Sequence, residues 1–152
     1  MKLDDLLSSR HVPYQRLHHE PVYQANRMAQ MLHVPGRRVA KSVLLRAGRG
    51  YVLAVLPAPY KVDLERMGSE LGEDSVNMAS ESEMDQVFPD CETGAMPPFG
   101  SLYHVPTFVD ESLVHDTEII FEAANHKEAI RMNYRDYEEL EHPMRRQFAL
   151  RT

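Results

Sequence analysis

Residues 39–56 read Val-Ala-Lys-Ser-Val-Leu-Leu-Arg-Ala-Gly-Arg-Gly-Tyr-Val-Leu-Ala-Val-Leu. Two apolar runs, Val39 to Arg46 and Tyr51 to Leu56, flank Ala-Gly-Arg-Gly, the pattern of a β-hairpin with a tight turn. Upstream, Leu3, Leu6 and Leu7 share one helical face and Pro13 closes that segment. Tyr14 to His18 reads as a short strand, and Gln24 to Leu32 as a helix with Ala25, Met28, Ala29 and Leu32 inward, before Pro35-Gly36 breaks the chain. Downstream, Asp63 to Leu71 is helical with Gly72 as its stop. Val76 to Ala79 reads as a strand. Ser80 with Glu83 three residues later forms a capping-box signature for a helix ending before Pro89. Leu102 to Val109, Glu118 to Ala124 and Ala129 to Asn133 read as strands, and Asp136 to Leu140 as a short helix. Strands and helices interleave irregularly, which predicts a mixed β-sheet with flanking helices in an α/β or α+β layer. No repeat or long linker interrupts residues 1–152, so a single domain is expected.

The charge is unevenly spread. The net charge is −6, yet residues 1–61 carry +7 and residues 62–152 carry −13. Such asymmetry points to a polyanionic partner, and Arg37, Arg38, Lys41, Arg46 and Arg49 are close enough in sequence to meet several phosphates. The competing reading is a solvated surface whose two halves attract each other. With 43% hydrophobic and 26% charged residues the chain reads as globular. No apolar run approaches the length of a membrane span, and Met-Lys-Leu-Asp-Asp-Leu-Leu-Ser-Ser-Arg lacks the apolar core of a signal peptide. The lone cysteine, Cys91, allows no internal disulfide, and a reducing cytoplasm is expected. Asp90 and Glu92 beside Cys91 would raise a thiol pKa, which argues against a catalytic thiolate.

The usual catalytic motifs are missing. His18 and His19 point to opposite faces of a strand, and no HExxH or CxxC spacing occurs, so no metal site is expected. No phosphate-binding glycine loop and no GxSxG elbow is present, and no cofactor is expected. Two features remain. Lys41 lies inside an apolar strand, where an ammonium is costly unless it snorkels to solvent or meets an anion. In a cleft it would hold a phosphate or polarise a carbonyl as a point charge. Gly94-Ala-Met-Pro-Pro-Phe-Gly100 packs two glycines and two prolines into seven residues. Such a loop fixes an unusual backbone path and can offer free N–H groups to an oxygen, or it is simply a rigid turn.

The order of Val-Ala-Lys-Ser-Val-Leu (39–44), the Gly-x-x-x-Pro loop 94–98 with Phe99-Gly100, and Ala-Ala-Asn-His-Lys-Glu-Ala-Ile (123–130) resembles the YbaK/prolyl-tRNA-synthetase-associated editing superfamily. His19-Glu-Pro-Val-Tyr23, before a helix, is similar to that family's entry to its second helix. The resemblance runs from about residue 10 to residue 141. It implies a mixed α/β fold around a curved sheet and an aminoacyl-tRNA deacylase acting in trans. It implies Lys41 as the essential lysine, and a pocket bordered by Gly94, Ala95, Met96, Pro97, Pro98, Phe99, Asn125, His126, His19 and Tyr23. One segment departs from the family: Gln24-Ala-Asn-Arg-Met stands where many members have Thr-x-Glu-Glu-Ala.

An editing task suits this inventory. A synthetase pocket rejects an amino acid one methylene too small by only about 1–3 kcal/mol, so a second site is needed. An aminoacyl ester is already activated, and its hydrolysis needs orientation and oxyanion stabilisation more than a strong nucleophile. The expected substrate is the acceptor end of an aminoacyl-tRNA, with a synthetase as a further partner. A non-catalytic module that binds aminoacyl-tRNA or a free amino acid is the alternative, and a protein-docking domain a third.

Overall fold

The computed structural model describes residues 2–151. The 39–56 stretch folds as expected: β2 (Ala40–Ala47) and β3 (Gly50–Pro57) form an antiparallel hairpin in register from Ala40–Pro57 to Ala47–Gly50. Gly48 turns the corner at φ +59°, a conformation that glycine reaches without a Cβ penalty. Strand β1 (Tyr14–His18) precedes this hairpin.

Three further strands extend it. β5 (Val76–Met78) pairs antiparallel with β2, β6 (Thr107–Asp110) pairs parallel with β3, and β9 (Met144–Arg146) pairs parallel with β6, giving the order β5-β2-β3-β6-β9. A second sheet, all antiparallel, has the order β1-β8-β7, with β7 spanning Glu118–Glu122 and β8 spanning Glu128–Asn133. A parallel bridge from Val39 to Ile120 joins the two sheets just before β2 begins. A two-stranded ribbon of β4 (Lys61–Val62) and β10 (Ala149–Leu150) covers one end. The mixed sheet flanked by helices matches the expected class.

The hydrophobic clusters follow from β2 alternation. Leu44 faces a large core with Leu53, Val55, Phe99, Phe121 and Tyr137, sealed by Leu3 and Leu7 of helix α1 (Lys2–Ser9). Leu45 faces a second cluster with Ala54, Leu56 and Phe148, sealed by Met67 of α3 (Leu64–Leu71). The third cluster lies at the seam, where Met28 and Ala29 of α2 (Ala25–Met31) meet Val39, Ala58, Ile120 and Ala129. Asp63 caps α3 by accepting from the Arg66 amide, and Gly72 ends it at φ +71°. Both bonds of the Ser80–Glu83 capping box are present at the start of α4 (Glu81–Val87). No helix among the described residues is long and apolar enough to cross a membrane.

One strand is shorter than its sequence suggests. Of Leu102 to Val109 only the β6 portion is extended, and Gly100–Tyr103 forms a 3-10 turn. The cause lies far along the chain in helix α6 (Tyr134–Glu141), which follows the short helix α5 (Glu111–Val114). The buried Glu141 carboxylate accepts from the Ser101 amide at 3.0 Å and from the Thr107 hydroxyl at 2.6 Å. Thr107 Oγ1 in turn accepts from the Gly100 amide at 3.0 Å. These bonds satisfy polar groups that would otherwise be buried unpaired, and they favour the turn over the strand. A Cβ at Gly100 would stand 2.4 Å from the Val105 carbonyl oxygen, so only glycine fits there.

Phe99 is fully buried, edge-on to Phe121 at 5.7 Å and to Tyr137 at 5.1 Å. Phe99→Ala is therefore expected to cost about 3–5 kcal/mol of stability in urea unfolding, the cost of a deleted core aromatic.

Candidate active site

The seam between the sheets leaves a hollow of about 160 Å³ lined by Tyr23, Ala25, Met28, Val39, Ala40, Lys41, Ser42, Gly94, Met96 and Glu122. Four structural segments meet there: the start of α2, the first residues of β2, the 94–96 loop and the end of β7. The hairpin register sets Lys41 opposite Leu56, near the seam rather than out at the turn.

Lys41 is half-buried, and among the described residues no carboxylate lies within 4 Å of its ammonium. Burial, and to a lesser degree the like charge of Lys61, lower its pKa from the ordinary lysine value. Both causes disfavour the cation, and a bound anion would offset both. Ser42 Oγ, on the same wall, is buried without a hydrogen-bond partner.

The opposite wall is the 94–98 loop. The Glu92 amide donates to the Ala124 carbonyl at 2.8 Å, and the Ala95 amide donates back to the Glu92 carbonyl at 2.9 Å. The Phe99 amide donates to the Pro97 carbonyl at 2.8 Å, and the Tyr137 hydroxyl to the Pro98 carbonyl at 2.7 Å. Pro97 and Pro98 have no N–H to give. Among the described residues this leaves the amides of Gly94 and Met96 without a protein partner. Gly94 sits at φ +83°, which the turn requires.

Glu122 lines the hollow and forms a tight pair with His126 behind it, with Nδ1 2.9 Å from Glu122 Oε2. The two atoms are buried and the approach is poorly aligned for a hydrogen bond. His126 Nε2 lies 2.8 Å from the Thr93 carbonyl oxygen, so this nitrogen carries the proton. The Glu122–Nδ1 contact then needs one further proton, held by either partner. Burial lifts the Glu122 pKa to about 7, with Glu92 adding to the rise and His126 opposing it.

The structure sorts the sequence candidates into groups. Lys41, Tyr23, Gly94 and Met96 line the hollow. Tyr23 is 74% exposed at its rim, with its ring 4.7 Å from that of His126. His126 stands one layer back, behind Glu122. Ala95, Pro97, Pro98 and Phe99 are buried and hold the loop from beneath. Asn125 shapes the turn between β7 and β8, accepting from the Lys127 amide at 2.9 Å and donating to Glu128 at 2.9 Å. His19 anchors its loop through its amide to the Lys127 carbonyl and does not line the hollow.

Glu122 and Ser42 were not among the candidates, though a carboxylate ending the apolar run Ile119-Ile120-Phe121, four residues before a histidine, is a signal. The basic cluster also disperses. Arg37 and Arg38 lie on the 3-10 turn leading into β2, whereas Arg46 sits roughly 17 Å along the strand from Lys41, paired with Glu83. Wider grooves of about 650 and 590 Å³ run along α3, but Glu65, Glu70, Glu73 and Asp74 line them and would repel a polyanion. The Cys91 thiol is pushed up to about 11, chiefly by burial and only secondarily by Asp90.

Two solved structures share this fold over nearly its whole length. The crystal structure of the hypothetical protein APE2540 superposes at a TM-score of 0.89 with 16% identity, covering 99% of this chain and 100% of that one. A candidate trans-editing enzyme for prolyl tRNA synthetase superposes at 0.84 with 18% identity, covering 98% and 95%. At these identities the likeness is one of architecture, and it defines the fold class: a mixed α/β domain. The sequence carries the assignment further. Residues 19–140 match the aminoacyl-tRNA editing domain, and the chain belongs to that family. With that membership the activity class expected from the sequence, an aminoacyl-tRNA deacylase, is upheld.

The chain is also 27% identical over 148 residues to the multifunctional Ser/Thr-tRNA deacylase ProXp-y of Escherichia coli K12, covering 93% of this chain and 87% of the relative. A segment of 74 residues, 45% of this chain, is 31% identical to the proline–tRNA ligase of Thermosipho africanus, of which it spans 13%.

The raised Glu122 pKa has a consequence for stability. Folding favours the protonated acid, so its contribution is fully present below the unfolded value of 4.5 and is lost as pH rises through about 7. The melting temperature of Glu122→Gln, measured from pH 5 to pH 8, should therefore gain on that of the wild type as pH increases.

Proposed function

We propose that the chain is a trans-editing hydrolase that cleaves the ester between a small amino acid and the 3′ end of tRNA. The observation that carries this reading is the Lys41 ammonium, half-buried at the hollow and without a protein anion. Lys41 binds the terminal phosphate or the ester carbonyl as a point charge. The amides of Gly94 and Met96 hold the carbonyl oxygen and the oxyanion that develops from it, the kind of preorganised donor pair that lowers an acyl-transfer barrier. A water, assisted by the substrate's own ribose hydroxyl, adds to the carbonyl carbon. The bond to the ribose oxygen then breaks, releasing the amino acid and the free tRNA end.

The size of the hollow supports a small aminoacyl group. The hollow is the narrow one at the seam, about 160 Å³, and its walls are mostly small or apolar side chains. Ser42 Oγ offers a partner to an acyl group bearing a hydroxyl. The match to a Ser/Thr-tRNA deacylase supports a panel built on such amino acids. The match to a segment of a proline–tRNA ligase and the fold shared with a candidate trans-editing enzyme support prolyl-tRNA synthetase as a functional partner.

The test is multiple-turnover deacylation of tRNAs carrying alanine, serine, threonine, cysteine and proline. Wild type is expected to turn over at least one of the small esters, and Lys41→Ala to lose about 100-fold or more in kcat/KM on it. Equal activity in the two proteins would refute the role of Lys41. Retention of aminoacyl-tRNA without turnover would identify a binding module instead. Retention itself should weaken steeply between low and high salt if phosphates are held.

A further inference from the structure

We propose that Glu122, buttressed by His126, is the seat for the α-ammonium group of the aminoacyl ester. This rests on the editing reading and adds a second recognition element to it. The hollow holds opposite charges that do not neutralise each other: Lys41 and Glu122 both line it, yet no ion pair within 4 Å joins them. An aminoacyl-tRNA end carries the complementary set, an α-ammonium on the acyl group and a phosphate beyond the ribose. Lys41 suits the second and Glu122 the first.

Glu122 is built for such a partner. Its side chain is 13% exposed; Oε2 is buried against His126 Nδ1, and among the described residues no protein donor reaches Oε1. A largely buried carboxylate oxygen without a donor is costly, and an arriving ammonium would supply one. The remaining walls offer the ammonium no second anion: Ala25, Met28, Val39, Ala40 and Met96 are apolar, and Ser42 presents only a neutral hydroxyl. The charged and titratable groups around Glu122 are His126 at 2.9 Å, Glu92, whose charge acts against ionisation, Lys41 in the same lining and the Tyr23 ring against His126.

His126 sets the position of the carboxylate. Its Nε2–H is fixed by the Thr93 carbonyl, its amide donates to Glu92 at 3.1 Å, and its carbonyl accepts from the Val22 amide at 3.1 Å. The ring is thereby locked with Nδ1 toward Glu122. When the substrate ammonium docks, the proton of the Glu122–His126 pair resides on His126, and the carboxylate faces one cation on each side. Glu122 is thus a binding residue and His126 a positioning residue.

The test compares a tRNA esterified with a small amino acid against the same tRNA bearing the matching 2-hydroxy acid, in which a hydroxyl replaces the ammonium at nearly equal size. Rates are divided by uncatalysed hydrolysis of each ester. Wild type should prefer the aminoacyl ester by at least about tenfold in kcat/KM, the worth of one charge-assisted hydrogen bond. Glu122→Gln should erase that preference by raising KM for the aminoacyl ester at least about tenfold more than for the hydroxyacyl ester. His126→Ala should weaken the preference with the same KM signature. A preference that survives in Glu122→Gln overturns the seat. So does an equal fall in kcat on both esters, which would make Glu122 a proton-transfer group. The wild-type comparison needs no variant: equal turnover of both esters overturns the seat alone, whereas turnover of neither overturns the editing reading and the seat with it.

Discussion

Everything at the candidate site depends on one backbone bridge, Val39 to Ile120, where two sheets of different topology touch. Without it, β2 and β7 would belong to separate layers, and the lysine near the start of one would not share a hollow with the carboxylate at the end of the other. The bridge is held from both sides. The Val39 amide donates to the Gly36 carbonyl at 3.0 Å, and the Val39 carbonyl accepts from the Ala58 amide at 2.8 Å. Val39 and Ile120 are fully or almost fully buried beneath Met28 and Ala29. Apolar burial at the seam thus fixes the spacing of polar groups just outside it, and the helix that covers the seam also contributes to the wall of the hollow.

The two walls of that hollow are prepared in different ways. On the lysine wall the protein withholds partners: a serine hydroxyl is buried without a hydrogen bond, and a half-buried cation has no carboxylate beside it. On the loop wall it spends only part of its donors on itself. Amides at Ala95 and Phe99 close local turns, prolines remove two others, and Tyr137 fastens the loop to the core. What is left over is a pair of amides at Gly94 and Met96, held on a frame that cannot readily relax. Preorganisation of this kind is what electrostatic catalysis requires, because the dipoles need no rearrangement as charge develops.

Much of the frame could be read from the chain, because it rests on local signals. The hairpin, the Asp63 and Ser80 caps and the Gly72 stop each follow from residues within a few positions of one another. The misread segment, 102–109, depends on Glu141, some forty residues downstream and invisible to any local pattern. The site divides in the same way. Lys41 stood out as a charge in an apolar strand, and the 94–98 loop as a glycine–proline anomaly. Which residues of that loop face the hollow and which face the core was not legible, because this depends on Phe121 and Tyr137 packing from other elements. Glu122 went unread because its importance comes from a neighbour across a turn and from burial, neither of which a strand-end carboxylate declares.

The environment of Cys91 bears on how the molecule endures oxidants. Its sulfur lies 3.5 Å from the Tyr103 hydroxyl, in surroundings that push the thiol up to about 11. A thiol held protonated in this way yields little of the thiolate that peroxides, alkylating reagents and mixed-disulfide partners attack or require. The single sulfhydryl is accordingly a poor handle for covalent labelling.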